Sequence, residues 1–418
     1  MLKPLISISR KQAFFFAFFL VLYEFLTYLA NDMIMPGMLD VVHSFHSTES
    51  MVATSLTVYM LGGASLQIIL GPVSDAFGRR PVMLCGAILF CLFTFLIAAA
   101  HSMEQFLLAR FFQGMGLCFI SVIGYTAIQE LFEEMDAIRV IAIMANAAIL
   151  APLLGPLLGA IVIHYASWRI IFIVIAFLSF CVAWGLWIYM PEPIGQVTKK
   201  GVLIARTAFT PHAIIKNYSV LLKNKSFCFA VLAISLVGIP CITWIALAPI
   251  IFIAESRLSV IEYGLWQLPV FGATIIGNWF LHRLTYRYEM KKIISIGCVL
   301  LLLGTSLMAW LPYCYGNHYY YLLPGIMIYF FALSVVSAPL NRFCLYTTQV
   351  SKGTASAIIS LSIMSIDALG IEIGNFIYQS HNHFYFGLYQ AGSIAFFIIA
   401  LYWAFKFNYK NIHNGEKY

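Results

Sequence analysis

Five ionisable residues interrupt long apolar runs of this sequence, and they are the side chains whose chemistry most needs an explanation. They are Glu24, Asp32, Arg110, Asp367 and Glu372. An ionised side chain costs about 2.5–3.5 kcal/mol at the centre of a helix that crosses a bilayer. Each of the five is therefore a candidate for a functional role.

Glu24 and Asp32 are eight residues apart. On a helix this spacing places them about 80° apart around the axis and about 12 Å apart along it, so both can face one cavity. Desolvation disfavours the charged form of a carboxylate, which lets it bind a proton near neutral pH and release it when a cationic ligand or an arginine approaches. The pair therefore predicts proton coupling. The alternative is a structural pairing with Arg110, but two acids against one arginine leave a surplus negative charge.

The other three residues are assigned from their surroundings. Arg110 stays charged in proteins and needs a partner, which could be Glu24, Asp32, Gln113 or backbone carbonyls. A coupling role and a purely structural salt bridge both remain open for Arg110. Asp367 and Glu372 lie about 140° apart around a helix, so they face different environments. We expect Glu372 to reach water, whereas Asp367 is deeper and could be an extra functional acid.

The composition identifies the elements that must position these groups. Of the 418 residues, 62% are apolar and 10% are charged, against about 45–50% and 25% in soluble domains. This excludes soluble enzymes, nucleic-acid binders and disordered proteins, and the continuous apolar runs argue against a β-barrel. The nine scattered cysteines are interpreted as small buried hydrophobes. We predict no metal site, and we expect the loop histidines His43, His46, His381 and His383 to be solvated.

The sequence predicts an all-α integral membrane protein with twelve transmembrane helices. Their approximate ranges are 13–35, 51–72, 82–100, 105–128, 138–163, 168–190, 226–250, 260–281, 292–312, 320–341, 353–378 and 384–407. Only Arg169 and Arg257 fall in outer loops and Arg110 in a span, which leaves 21 of the 24 Lys and Arg residues on the inner side. Positive charge favours the cytoplasmic side, so both termini are predicted to be cytoplasmic.

The longest polar stretch divides the chain. We predict a six-helix bundle at 1–190, a basic cytoplasmic linker at 191–225 and a second six-helix bundle at 226–418. The linker is interpreted as lying on anionic headgroups rather than as a regulatory site. Two such halves are typical of duplicated transporter bundles with a pathway between them.

Three motifs resemble those of the major facilitator superfamily. The first, with Gly71, Asp75, Gly78, Arg79 and Arg80, fits its G-x-x-x-D-x-x-G-[RK]-[RK] loop signature. The glycines allow a tight turn, and Asp75 could pair with the arginines or cap a neighbouring helix. The second is its R-x-x-Q-G motif, with Arg110, Gln113 and Gly114. The third resembles the fifth-helix motif of its antiporters, and its members are Gly155, Pro156 and Gly159.

Residues 21–39 resemble the first helix of the multidrug/proton antiporters of this superfamily. The resemblance implies that Glu24 and Asp32 are shared by protons and drugs and that Arg110 is the motif arginine. It also implies a binding surface formed by Tyr28, Asn31, Met144 and Ala148. Two departures stand out. The second-half copy of the loop motif lacks its acid, and Asp367 is an added one.

The sequence and the resemblance together predict a proton-coupled multidrug efflux transporter of lipophilic cationic and neutral compounds such as antibiotics and dyes. It would work by alternating access as a monomer in the bacterial inner membrane. No nucleotide motif is found, so no cofactor or ATP is expected and the proton gradient supplies the energy. The alternatives are a proton-coupled symporter or antiporter for a specific metabolite, and an intramembrane enzyme. An enzyme would need a G-x-S-x-G or H-E-x-x-H constellation, which we do not find.

Overall fold

A computed structural model of the chain describes residues 3–199, 201, 203, 204, 206, 218–348, 350 and 352–413. Within these residues the regular structure is helical, apart from two isolated bridges, Pro4 with Phe132 and Val197 with Leu203. The all-α prediction is confirmed. Parts of the predicted linker, including Lys200 and Lys216, lie outside the described residues.

The chain forms two compact units. The first comprises Met1–Ser47 and Val58–Ile214, and the second comprises Thr48–Thr57 and Ile215–Tyr418. The predicted domain boundaries at residues 190 and 226 stay a prediction.

The helices of the first half are interrupted by a 3₁₀ turn at Met35–Gly37 and by a π-helical segment at Phe119–Gly124. They are α1 (Arg10–Asp32), α2 (Met38–Ser44), α3 (Met51–Ser65), α4 (Gln67–Phe77), α5 (Arg79–Ala98), α6 (Met103–Gly114), α7 (Gly116–Cys118), α8 (Tyr125–Leu131), α9 (Glu134–Tyr165) and α10 (Trp168–Tyr189).

The second half has a similar pattern, with a π-helical segment at Ile250–Glu255 and a 3₁₀ turn at Tyr319–Tyr321. Its first helix, α11, is described over 218–223. The others are α12 (Lys225–Leu236), α13 (Ile239–Pro249), α14 (Val260–Thr285), α15 (Met290–Tyr315), α16 (Leu323–Tyr346), α17 (Lys352–Tyr378) and α18 (His383–His413).

Most predicted spans are present. Among the described residues, ten helical segments are long and apolar enough to cross a membrane, and α3 with α4, bent by 41°, is an eleventh if the two form one span. The remaining predicted span, 260–281, coincides with α14, which has 26 residues but is less apolar because it contains Glu262, Gln267 and Asn278. Ten or eleven spans are therefore confirmed, whereas the twelfth and the cytoplasmic position of both termini stay predictions.

Polar caps fix where several helices begin. The Ser9 hydroxyl accepts the Gln12 N–H at 3.1 Å at the start of α1. At α14, Ser259 and Glu262 form a reciprocal capping box, in which each side chain accepts the backbone N–H of the other residue. Such caps pair N–H groups that a helix leaves without intrahelical acceptors.

Large apolar side chains cover the outward surface of the helices. Phe95, Phe177 and Trp184 are 55%, 66% and 61% exposed. Continuous apolar surface of this kind is unfavourable in water but matches lipid tails. The exposed faces therefore support a membrane location independently of helix length.

Candidate functional site

A chain of buried polar side chains runs through the first unit around Arg110. Arg110 is 0% exposed. One terminal nitrogen donates to Gln113 Oε1 at 2.8 Å and the other to Asn31 Oδ1 at 2.6 Å. The Gln113 amide in turn donates to the Thr94 hydroxyl at 2.9 Å. The network therefore links α1, α6 and α5.

Arg110 is held by neutral groups. Its guanidinium carbon lies 4.5 Å from the centroid of the Tyr59 ring, a cation–π contact. Among the described residues, no carboxylate oxygen lies within 4.0 Å of its nitrogens. Of the predicted partners, Gln113 contacts Arg110 directly, whereas Glu24 and Asp32 do not form an ion pair with it. The structural salt bridge that the sequence left open is therefore not formed in this conformation.

Asn31 separates the buried cation from a buried carboxylate. Its side-chain oxygen accepts from Arg110, and its side-chain nitrogen donates to Asp32 Oδ1 at 3.2 Å. Asn31 and Asp32 are both buried. A change in the charge of Asp32 can therefore reach Arg110 through one amide group.

Two glycines of α9 let this helix pack closely on the end of α1. A Cβ atom at Gly155 would lie 2.8 Å from the Cβ of Asp32, and one at Gly159 would overlap the carbonyl oxygen of Met33. Pro156, between them, is also buried. Small residues at these positions are therefore a steric requirement of the contact beside Asp32.

Glu24 is the second buried carboxylate of α1, and its side chain has one polar partner among the described residues. The Tyr125 hydroxyl donates to its Oε1 at 2.8 Å. Its Oε2 is buried without a hydrogen-bond partner in the described part of the chain. A buried ionised oxygen that lacks a partner is costly. A proton or a cationic ligand would remove this cost.

The remaining predicted binding residues differ in exposure. Tyr28 and Ala148 are half-buried, whereas Met144 is fully buried in this conformation. Tyr125, which no sequence pattern singles out, contacts Glu24 from a helix 101 residues further along the chain. Only the fold brings these two residues together.

The α4–α5 turn has its own charge network. Gly78 has a φ of +107°, a conformation that favours glycine. The following residue, Arg79, forms an ion pair with Asp75. Its Nε and one terminal nitrogen also donate to the two carboxylate oxygens of Glu130, at 3.1 and 2.8 Å.

Glu192 caps the N-terminus of α5. Its two oxygens accept the backbone N–H groups of Arg79 and Arg80 at 3.0 and 2.9 Å. The Arg80 side chain donates to the Trp187 carbonyl at 2.6 Å. Asp75 therefore pairs with an arginine, one of its two predicted roles, while Glu192 acts as the cap.

The other motif glycines differ in packing. A Cβ at Gly114 would overlap the backbone carbonyl of Tyr59, so Gly114 permits close approach of α6 to α3. A Cβ at Gly71 would meet only Val122, at 3.8 Å. Gly71 is thus not required by sterics in this conformation.

The two acids of α17 lie in different surroundings, as predicted. Asp367 is 8% exposed, and its Oδ1 is buried without a hydrogen-bond partner in the described chain. Glu372 is half-buried, and its Oε1 also lacks a partner there. Glu372 therefore reaches the surface only in part.

The expectation of solvated loop histidines is wrong for His383, whereas the side chain of His381 is 61% exposed. His381 Nδ1 lies 2.6 Å from Glu255 Oε1, and the Tyr378 hydroxyl donates to Glu255 Oε2 at 2.5 Å. His383 is 2% exposed and contacts the same tyrosine oxygen at 3.1 Å. The expectation failed because Glu255 is supplied by a segment more than 120 residues away. No group of ligands that could hold a metal ion is found among the described residues.

The sequence profile described as Major Facilitator Superfamily matches residues 20–371. The chain therefore belongs to this superfamily of membrane transporters. The family also confirms the prediction of a multi-pass transporter rather than an enzyme.

Two relatives carry the name multidrug transporter MdfA. The protein of Edwardsiella piscicida is 42% identical over 364 residues, which cover 87% of each chain. The protein of Escherichia coli O6:H1 is 41% identical over 380 residues, which cover 91% of each chain. The resemblance to this group that residues 21–39 indicate is therefore confirmed over most of the chain.

Solved structures share the fold. A D-xylose–proton symporter has a TM-score of 0.73 at 14% identity, covering 92% of this chain and 97% of its own. A bacterial homologue of the human lysosomal transporter Spinster, inward-facing and unoccupied, has a TM-score of 0.71 at 13% identity, covering 96% and 98%. At this level of identity the likeness concerns the fold alone.

Proposed function

We propose that the chain is a proton-coupled exporter of chemically diverse lipophilic cations and neutral compounds. One observation carries the proposal: Glu24 and Asp32 are both buried on α1, while Arg110, the fully buried arginine of the same unit, is ion-paired with neither. Two carboxylates without a cation are suited to bind either protons or a cationic drug. The names of the two relatives support the breadth of substrates.

Protons and drug compete for these carboxylates. A cationic drug stabilises the ionised form of Glu24 or Asp32, and a proton removes the charge that binds the drug. By linkage, each must weaken the binding of the other by the same factor. Tyr28 and Ala148, which are half-buried, line the drug surface beside them, with Asn31 and Met144 behind it.

The hydrogen bonds of Arg110 depend on the charge of Asp32. When Asp32 is ionised, the Asn31 amide is polarised between carboxylate and guanidinium, which strengthens both hydrogen bonds. When Asp32 is neutral, this polarisation is lost, and Arg110 relies on Gln113 and Tyr59. Proton binding at Asp32 on α1 thereby changes the hydrogen bonds of Arg110 on α6 and, through Gln113, the contact with α5.

The other motifs serve the conformational cycle. The contacts of Arg79 with Asp75 and Glu130, together with the Glu192 cap, stabilise one arrangement of the α4–α5 turn. Gly155, Pro156 and Gly159 let α9 slide along α1. Alternating access then exposes the carboxylates to the two sides of the membrane in turn.

The transporter acts as a monomer in the cytoplasmic membrane of a bacterium and uses the proton gradient, without a cofactor or ATP. The segment 191–225 is a basic cytoplasmic linker between the two bundles.

Dye transport into energised inverted vesicles tests the function. Wild-type vesicles should accumulate a fluorescent lipophilic cation, and a protonophore should abolish the accumulation. Glu24→Gln and Asp32→Asn should each abolish it at normal expression, whereas Glu49→Gln, an exposed acid of the same half, should not. Accumulation that survives the protonophore would refute the proposal. So would accumulation that survives in the Glu24→Gln variant and in the Asp32→Asn variant.

A further inference from the structure

Asp367 faces a break between two helices of the second unit. Helix α12 ends at Leu236 and α13 begins at Ile239. A Cβ atom built at the intervening Gly238 would lie 3.3 Å from Asp367 Oδ1 and 3.8 Å from the Ser235 carbonyl oxygen. The carboxyl group is therefore close to the backbone at the point where the helix is interrupted.

A tyrosine hydroxyl holds this break. Tyr329 of α16 donates to the carbonyl of Val237 at 2.7 Å and accepts the N–H of Cys241 at 3.2 Å. These two backbone groups are four residues apart, the spacing of a helical hydrogen bond. Pro240, beside them, has no N–H to donate. The break therefore depends on a side chain from another helix.

Few groups can respond to the charge of Asp367. The titratable groups near Asp367 on neighbouring helices are the hydroxyls of Tyr329 from α16 and Tyr389 from α18, and Cys241 of α13 contacts the Tyr329 hydroxyl through its backbone N–H. Both hydroxyls already donate to carbonyls, that of Tyr389 to Gly370 at 2.7 Å. No ion pair of Asp367 is found among the described residues, and its Oδ1 has no partner there.

We propose that Asp367 is a proton-binding site of the second unit and that its ionisation draws the Tyr329 hydroxyl away from the α12–α13 break. The neutral acid fits the observed geometry, because an ionised carboxylate without a cation or donor is costly in an apolar interior. Release of the proton to water leaves a carboxylate that needs a donor. The Tyr329 hydroxyl can donate to this carboxylate only if it breaks its hydrogen bond to the Val237 carbonyl. The protonation of Asp367 therefore decides whether Tyr329 stabilises the α12–α13 break.

The site is separate from Glu24 and Asp32, which lie in the first unit, and does not require drug binding. It can therefore be tested in the full-length Glu24→Gln/Asp32→Asn variant in lipid nanodiscs. Infrared difference spectroscopy during a pH titration records the C=O stretch of protonated carboxyl groups. Failure of this test would leave the dye-transport proposal untouched, and failure of dye transport would leave this one untouched.

The expected result is a carboxyl band that disappears as the pH rises and is absent after the further substitution Asp367→Asn. Glu372→Gln, a matched change five residues along α17, should leave the band in place. Asp367→Glu should keep a titrating band at a shifted frequency, which provides a readout if the Asn variant folds poorly. A band unchanged in both Asp367 variants would overturn the assignment. So would a band that disappears on adding sodium or potassium chloride at constant pH, since this would indicate a metal cation on Asp367.

Tyr329→Phe tests the second part of the proposal. Removing the hydroxyl removes a donor that stabilises the ionised carboxylate, so the acid should keep its proton to higher pH. We expect the band to titrate about one pH unit higher, a tenfold gain in proton affinity. An unchanged titration would show that Tyr329 does not respond to Asp367.

Discussion

Replacing Asn31 by leucine should destabilise the first unit and change how drug binding depends on pH. Leucine is similar in size to asparagine but can neither accept from Arg110 nor donate to Asp32. Both partners are buried, so water does not readily replace the lost bonds.

The magnitude follows from the two contacts. The bond from Arg110 measures 2.6 Å and that to Asp32 measures 3.2 Å, and each involves a group that carries charge. Hydrogen bonds to charged groups contribute about 1.5–3 kcal/mol each, so Asn31→Leu should cost about 3–6 kcal/mol. If Arg110 then moves to pair directly with Asp32, the loss falls toward the lower value. In that case Asp32 keeps its charge to lower pH, and the pH at which protons displace a bound cation shifts downward.

Reversible unfolding in mixed micelles, followed by tryptophan fluorescence, measures the free energy of unfolding. Asn278→Leu, the same change at an exposed position of α14, is the control and should have little effect. Binding of a fluorescent cation across a pH series measures the second effect. An Asn31→Leu variant as stable as the control, with an unshifted pH profile, would refute the role assigned to Asn31.

Three further predictions concern other contacts. Gly159→Ala should lower the free energy of unfolding by about 2 kcal/mol because its methyl group meets backbone, whereas Gly272→Ala, with open space around it, should raise it by about 0.5–1 kcal/mol; equal effects would contradict the close packing on α1. Arg79→Lys keeps the charge but loses the two-pronged contact with Glu130, so it should lower the free energy of unfolding by about 2 kcal/mol, while Arg139→Lys, at a side chain that is 67% exposed, should be neutral in the same unfolding assay. Glu255→Gln should lower the free energy of unfolding by about 1.5–3 kcal/mol, because the carboxylate accepts from the Tyr378 hydroxyl and contacts His381 Nδ1, and a hydrogen bond to a charged group contributes about this much; an unfolding free energy equal to that of the wild type would count against these contacts.

The sequence was sufficient for the features that follow from composition and local spacing. Long apolar runs predicted ten or eleven of the helical spans found, because a bilayer requires about 20 apolar residues per helix. The same criterion does not decide whether the less apolar helix α14 crosses the membrane. The buried acids of α1 were identifiable because ionisable residues within apolar runs are rare.

The partners of these residues could not be predicted. Tyr125 beside Glu24, Glu130 beside Arg79 and Glu192 at the start of α5 come from distant parts of the sequence. Their spacing along the chain carries no signal, since only helix packing sets the contacts. The same limitation explains why the burial of His383 beside Glu255 could not be predicted.

The central claim is that drug and proton compete for Glu24 and Asp32. The most direct measurement is proton release when a lipophilic cation is added to the purified, full-length transporter in weakly buffered solution, recorded with a pH indicator. We predict that binding releases protons from the wild type and that Glu24→Gln/Asp32→Asn abolishes the release. Saturable binding to the wild type without any proton release, over the pH range in which the protein is folded, would contradict the account.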